Sequence, residues 1–239
     1  MAVNDVSFEV APGLVKAVIG PNGAGKTTLF NIITGFLSPQ RGRITYLGEE
    51  IQGQPAHQVA SLGIARTFQL VQLFDHMTVW ENVMVGRHRL SRAGILSGSL
   101  RLPWARREET GIRSQAWETL EFVGLADRAH QSAAVLPLGL KRLLEIARAL
   151  AAKPTILLMD EPASGLDAVE TDRLREMILA LRDQGLTILL VEHDMGLTME
   201  VADSIAVLNY GRLLADGPPR YIQKHPEVIA AYLGADWQA

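Results

Sequence analysis

Short β-branched, apolar runs recur along the chain: "VSFEV" from Val6, "LVKAVIG" from Leu14, "TILLMD" from Thr155, "LTILLVEH" from Leu186 and "SIAVLNYG" from Ser204. Each predicts a strand, and the near-continuous apolar ones predict strands buried on both faces. Between the last three runs the spacing turns helical. Over residues 168–182, Leu174, Met177, Ile178 and Leu181 fall on one stripe of a 3.6-residue period. Strand and helix therefore alternate, which predicts an α/β fold with a mostly parallel sheet and flanking helices.

Residues 78–152 differ in texture. Helical patterns fill them without a convincing strand, and "RLSRAGILSGSLRLPWARR", with Gly94, Gly98 and Pro103 as breakers, reads as a looser connection. The expected organisation is one domain over residues 1–239. Residues 1–77 and 153–239 would form the α/β core, and residues 78–152 an inserted α-helical subdomain. The chain has no internal repeat and no low-complexity tract longer than that connection.

Composition then narrows the partners. At 239 residues, 48% hydrophobic and 21% charged, the chain has the make-up of a globular protein with a sizeable core. A net charge of −3 leaves no electrostatic footprint for nucleic acid or anionic lipid. Without cysteine, neither a disulfide framework nor a thiolate metal site can form, which fits a reducing compartment and makes the cytoplasm the default. The opening "MAVNDVSFEV" lacks the basic start and apolar stretch of a signal peptide. Apolar runs such as "LTILLV" at residues 186–191 fall far short of the ~20 residues of a spanning helix, so any service to a membrane is given from outside it.

The candidate chemistry begins with "GPNGAGKTT": Gly20, Pro21, Asn22, Gly23, Ala24, Gly25, Lys26, Thr27 and Thr28. This matches G-x-x-x-x-G-K-[ST] between a predicted strand and a predicted helix, the context that turns a pattern into a phosphate site. The glycines let successive N–H groups aim at one anion, and the helix start adds its positive end. Lys26 can reach the β- and γ-phosphates as a point charge, and the Thr27 hydroxyl is placed to ligate Mg²⁺.

A second candidate is "TILLMDEP", an apolar strand that ends on Asp160 and Glu161. Neighbouring side chains on extended backbone diverge, so one carboxylate can serve a Mg²⁺ shell and the other the open side of the γ-phosphate. Asp160 suits outer-shell metal binding; Glu161 suits a general base for an attacking water. Without the phosphate loop, "DEP" would read as the solvated end of a strand. Gln69 in "ARTFQL" and His193 in "LLVEHDM" are unremarkable alone. His193, however, follows a predicted strand at its carboxyl end, where ligands of open α/β sheets collect, and so does the acid pair. A GTPase switch is excluded because no Asn is followed by Lys, so the guanine-reading N-K-x-D is missing.

Taken together, these segments resemble the ATP-binding subunit of ABC transporters over essentially the whole chain. "GPNGAGKTT" is similar to its Walker A, Gln69 to its Q-loop residue, "LPLGLKR" to its signature, "ILLMDE" to its Walker B, "ASGLD" to its D-loop and His193 to its switch histidine. "ARTFQLVQLFDHMTVWENVMVGRH", "LKRLLEIARAL" and "HPEVIAAYLG" resemble the subgroup that serves importers of branched-chain and other hydrophobic amino acids. The resemblance implies a P-loop core with a small antiparallel β part, and Mg²⁺-dependent ATP hydrolysis. Thr27, Gln69 and Asp160 would organise the metal, Glu161 would activate water, and His193 would contact the γ-phosphate.

It also implies the partners. A second nucleotide-binding subunit, identical or paralogous, would close face to face, with Gly139 of each signature on the other's ATP and Ser164 and Asp167 at the seam. Two transmembrane permease subunits would dock near Gln69 on the cytoplasmic face of the inner membrane, and a periplasmic binding protein would act through them. Lipopolysaccharide export, or a slow structural ATP-binding subunit, are the alternative readings.

Two departures carry expectations. The general signature is L-S-G-G-Q, whereas residues 136–140 read Leu-Pro-Leu-Gly-Leu. Pro137 has neither a hydroxyl nor an N–H, and a lost hydrogen bond to phosphate would cost roughly 1.5–3 kcal/mol. Gly139, opening a helical segment with apolar Leu143, Leu144, Ala147 and Leu150, would still offer free N–H groups. Second, the family's first strand and adenine-stacking aromatic precede the segment in which this sequence begins. Either the start is assigned too late or the piece is truncated, and the expectation is that stacking worth roughly 0.5–1.5 kcal/mol is absent from the sequence as given.

Overall fold

The computed structural model describes residues 2–88 and 103–232. Its main sheet is built from β1 (Val15–Ile19), β4 (Ile64–Arg66), β5 (Ile156–Asp160), β6 (Thr187–Val191), β7 (Ser204–Asn209) and β8 (Arg212–Gly217), in the order β4-β5-β6-β1-β7-β8. All pairs are parallel except β7 with β8. Every residue of β1 and β6 is buried, as their near-continuous apolar runs require for strands covered on both faces, and Lys16 within β1 is buried with its Nζ paired to Asp216 at 2.7 Å.

The order places β6 between β5 and β1, with Asp160 and Val18 both in register with Val191. The carboxyl ends of the three strands therefore emerge side by side, although far apart in sequence. Helix α1 (Lys26–Ile33) follows β1, and α6 (Ala168–Asp183) follows β5, burying the predicted stripe of Leu174, Met177, Ile178 and Leu181. Helix α2 (Ala56–Ser61) precedes β4, α7 (Met195–Val201) links β6 to β7, and α8 (Pro219–Ile222) and α9 (Pro226–Tyr232) end the described chain.

Helices α3 (Val79–His88), α4 (Pro103–Phe122) and α5 (Leu138–Ala151) pack together through buried Val83, Leu120 and Leu144. Between residues 78 and 152 the described backbone contains no strand, only an isolated bridge of Thr78 with Ser132. Pro103, expected within a loose connection, is instead the first residue of α4, the helical position where a missing N–H costs least. Residues 89–102, with Gly94 and Gly98, lie outside the described residues.

The strand expected from Val6 is not formed. Val6, Phe8 and Val10 alternate with exposed Ser7 and Glu9 and pack on the cluster holding Val18 and Phe30, so the side chains follow a strand's period. What is missing is the ladder. Asn4 N–H donates to Gly211 O at 2.6 Å, but among the described residues no backbone hydrogen bond joins residues 6–10 to another segment. The small antiparallel part consists of β2 (Thr45–Tyr46) and β3 (Glu49–Glu50).

Candidate active site

The phosphate loop leaves β1 at Gly20, which is buried at φ 155°, and a side chain there would collide with the Leu208 carbonyl. Gly25 is left-handed at φ 103° and caps α1, a conformation that strains any other residue. Lys26 opens the helix at 6% exposure, its Nζ donating to Gly20 O at 2.7 Å and Pro21 O at 3.2 Å. Burial pulls its pKa below the usual lysine value, and the charges of Glu161 and Asp160 partly restore it. Asn22, Gly23 and Thr27 are exposed, Pro21 and Thr28 half-buried, and Ala24 is buried. The first-turn amides of α1 have no helical acceptor, and the Lys26 ammonium is turned back onto the loop carbonyls of Gly20 and Pro21.

Three predicted residues meet directly. Gln69 Nε2 donates to Glu161 Oε2 at 2.7 Å, and His193 Nε2 lies 2.5 Å from Glu161 Oε1. Glu161 itself sits at φ 48°, in the left-handed region that a non-glycine residue enters at a cost. That backbone is held by its N–H on Val191 O at 2.8 Å and by Ser164 N–H on its carbonyl at 3.1 Å.

Asp160 is 2% exposed. Its Oδ2 is paired with Arg66 Nη2 at 2.8 Å, while Oδ1 is buried without a hydrogen-bond partner among the described residues. A buried carboxylate oxygen without a partner and an exposed threonine hydroxyl, Thr27, are hard oxygen donors of the kind Mg²⁺ takes, so the residues fit that ion. No group of three or more His, Cys, Asp or Glu suited to a metal occurs among the described residues, so the remaining ligands would come from phosphate and water.

Gly139, Ser164 and Asp167 form a separate neighbourhood. Helix α5 starts at Pro137 without a side-chain cap. A Cβ at Gly139 would collide with Glu170 Oε1, and one at Gly165 would crowd the Leu138 side chain. Asp167 caps α6 in a reciprocal box with Glu170: Glu170 N–H donates to Asp167 Oδ1 at 2.8 Å, and Asp167 N–H to Glu170 Oε2 at 3.2 Å. Ser164 and Asp167 are exposed. No hydrogen bond among the described residues ties Gly139 or Asp167 to the phosphate loop, and Ser164 reaches the acid pair only through its bond to Glu161.

Sequence reasoning missed the buried charges behind these groups. Arg142 donates to Phe68 O at 2.7 Å and Gln69 O at 2.9 Å, and Glu145 accepts the N–H of Phe68 at 3.3 Å and of Gln72 at 3.4 Å. The two side chains, paired at 3.4 Å, clamp the backbone of the Gln69 loop onto α5. Arg66 also donates to Asn31 Oδ1 at 2.7 Å and Thr34 Oγ1 at 3.1 Å, under the rings of Phe30, Phe36 and Phe68. The available signal was spacing: Arg142 and Glu145 share a helix face with Gly139, which argues against a solvated run.

A phosphate loop after β1 and an acidic pair at the end of β5, brought to the same edge of a parallel sheet with β6 between them, define a P-loop nucleoside triphosphatase. Within that class the chain belongs to the ABC transporter family, which matches residues 3–164; residues 212–237 match the branched-chain amino acid ATP-binding cassette transporter family. It is 48% identical over 235 residues to the high-affinity branched-chain amino acid transport ATP-binding protein BraF of Pseudomonas aeruginosa, covering 98% of this chain and 92% of BraF. The corresponding protein LivG of Escherichia coli is 46% identical with the same coverage. Among solved structures, the ADP conformation of the ATP-binding cassette MJ1267 superposes with a TM-score of 0.84 at 32% identity, covering 98% of this chain and 92% of that one. The dimeric post-hydrolysis cassette MJ0796, bound to ADP and Pi, gives 0.76 at 25% identity, covering 92% and 91%.

Proposed function

We propose that this chain is the ATP-hydrolysing, energy-coupling subunit of an importer of branched-chain amino acids. The observation that carries the reading is the convergence of Gln69 and His193 on the two oxygens of Glu161, at 2.7 and 2.5 Å, beside the loop that holds Lys26. Loop amides and Lys26 bind the polyphosphate. Glu161 accepts the proton of the attacking water, with Gln69 and His193 fixing its carboxylate; His193 contacts the γ-phosphate. Thr27, Asp160 and Gln69 would hold Mg²⁺, which when bound neutralises phosphate charge.

The signature around Gly139 and the seam residues Ser164 and Asp167 would act across a dimer, as the dimeric cassette MJ0796 suggests. On this reading residues 78–152 work as the helical subdomain that signals to the permeases. No described helix is long and apolar enough to cross a membrane. The proposed location is therefore peripheral, on the cytoplasmic face of the inner membrane, bound to two permease subunits and served by a periplasmic binding protein. The names of BraF and LivG support leucine, isoleucine or valine as cargo over lipopolysaccharide export. Reconstitution in proteoliposomes with the membrane subunits and binding protein of a branched-chain amino acid importer tests this. ATP-driven leucine uptake that stops with Glu161→Gln is expected; hydrolysis indifferent to leucine and binding protein would sink the importer assignment.

A further inference from the structure

Glu192 lies between β6 and His193, and at 2% exposure its carboxylate faces the protein rather than the nucleotide loop. Oε1 accepts the N–H of Ala163 at 2.7 Å; Oε2 accepts those of His193 at 2.9 Å and Asp194 at 3.2 Å. Two of these amides belong to the segment after β6, and the third to the segment after β5. One carboxylate therefore ties the loop carrying His193 to the turn carrying Glu161. Burial pushes its pKa up, and the three N–H groups oppose that shift.

The turn needs such a tie. Glu161 at φ 48° occupies a conformation that persists only where the surroundings over-determine it. The two bonds made by its own backbone, to Val191 and Ser164, are main-chain bonds that no side-chain substitution removes. The bond from Ala163 to Glu192 is the side-chain restraint on the same turn.

We infer that Glu192 is a positioning residue for hydrolysis, holding the Glu161 turn and the His193 backbone in mutual register and acting on ATP only through that pair. The inference rests on the hydrolytic reading of the site. Its chemistry requires a carboxylate, because both oxygens accept. In an amide of the same shape, the NH₂ would face an N–H whichever way it is turned, so one of the two loops would be released.

The test compares ATP turnover by proteoliposome-reconstituted importer carrying the wild-type chain with that carrying its Glu192→Gln and Glu192→Asp variants. Binding of a non-hydrolysable ATP analogue and the thermal midpoint report whether each variant is folded. Glu192→Gln is expected to lower kcat at least ~10-fold while KM for ATP moves less than ~2-fold, because misplacing catalytic groups costs rate more than binding. Should the Gln variant fail to bind the analogue, Glu192→Asp decides: it keeps the charge but is too short to span both loops, and the same kcat loss is expected. Wild-type kcat in a folded Gln or Asp variant would overturn the inference, since a residue that merely fills space tolerates its isostere. Absence of turnover in the wild-type assembly would instead contradict the hydrolytic reading itself.

Discussion

Glu161 Oε1 lies 2.5 Å from His193 Nε2, joining residues at the ends of two adjacent parallel strands. Because Gln69 Nε2 occupies the other oxygen, the carboxylate is gripped on both sides and cannot rotate freely. A base so held needs little reorganisation when a water is delivered to it. Glu161→Gln keeps the shape but cannot take a proton. It should lower kcat by ~10²–10⁴-fold while ATP affinity stays within a few-fold. Steady-state turnover alongside equilibrium binding checks this.

The Arg142–Glu145 pair links α5 to the backbone of the Gln69 loop, and both side chains are almost wholly buried. Arg142→Met removes the paired cation from the Glu145 carboxylate, whose pKa burial already raises, leaving it the N–H groups of Phe68 and Gln72 and the charge of Arg148, and should cost up to about 3 kcal/mol of stability. Adding Glu145→Leu removes the unpaired charge and should recover part of the loss. Urea unfolding of the single and double variants measures both numbers.

Gly139→Ala should be milder. Its new methyl would meet Glu170 Oε1, the far end of a flexible side chain that can swing away. The loss is then one bond of the α6 capping box, about 0.5–1 kcal/mol, and Glu170→Ala should make the two substitutions less than additive. Thermal melts of the four forms read this out.

Lys26 gives a pH signature. Its folded pKa lies below the usual 10.5, chiefly through burial, so the unfolded chain binds the proton more tightly. The cost of burying the ammonium is full at neutral pH and fades as pH rises through the lowered value towards 10.5. Wild-type stability should therefore improve relative to Lys26→Met over that window. Paired urea titrations at stepped pH would show the difference narrowing or reversing; a flat difference would contradict it.

Much of this was legible because the decisive strands are near-continuous apolar runs, interrupted in β1 only by Lys16. β1, β5, β6 and β7 appear where the sequence places them, and their order explains why three distant motifs meet. β4 escaped notice because three residues ending in Arg66 carry too little apolar period. The run from Val6 had the period but no ladder partner, and pairing is not a local property. Arg66, Arg142, Glu145 and Glu192 were hidden for a different reason. Charged residues are ordinarily solvated, and only tertiary contacts reveal that Arg142, Glu145 and Glu192 bind the backbone of the site loops and that Arg66 pairs with the Asp160 side chain.

A crystal structure of Glu161→Gln with Mg-ATP tests the central claim most directly. The triphosphate should lie in the loop of residues 20–28, with Lys26 on its β- and γ-phosphates, and with Gln69, residue 161 and His193 around the γ-phosphate. A triphosphate bound elsewhere, or a γ-phosphate out of reach of His193 and residue 161, would contradict the account.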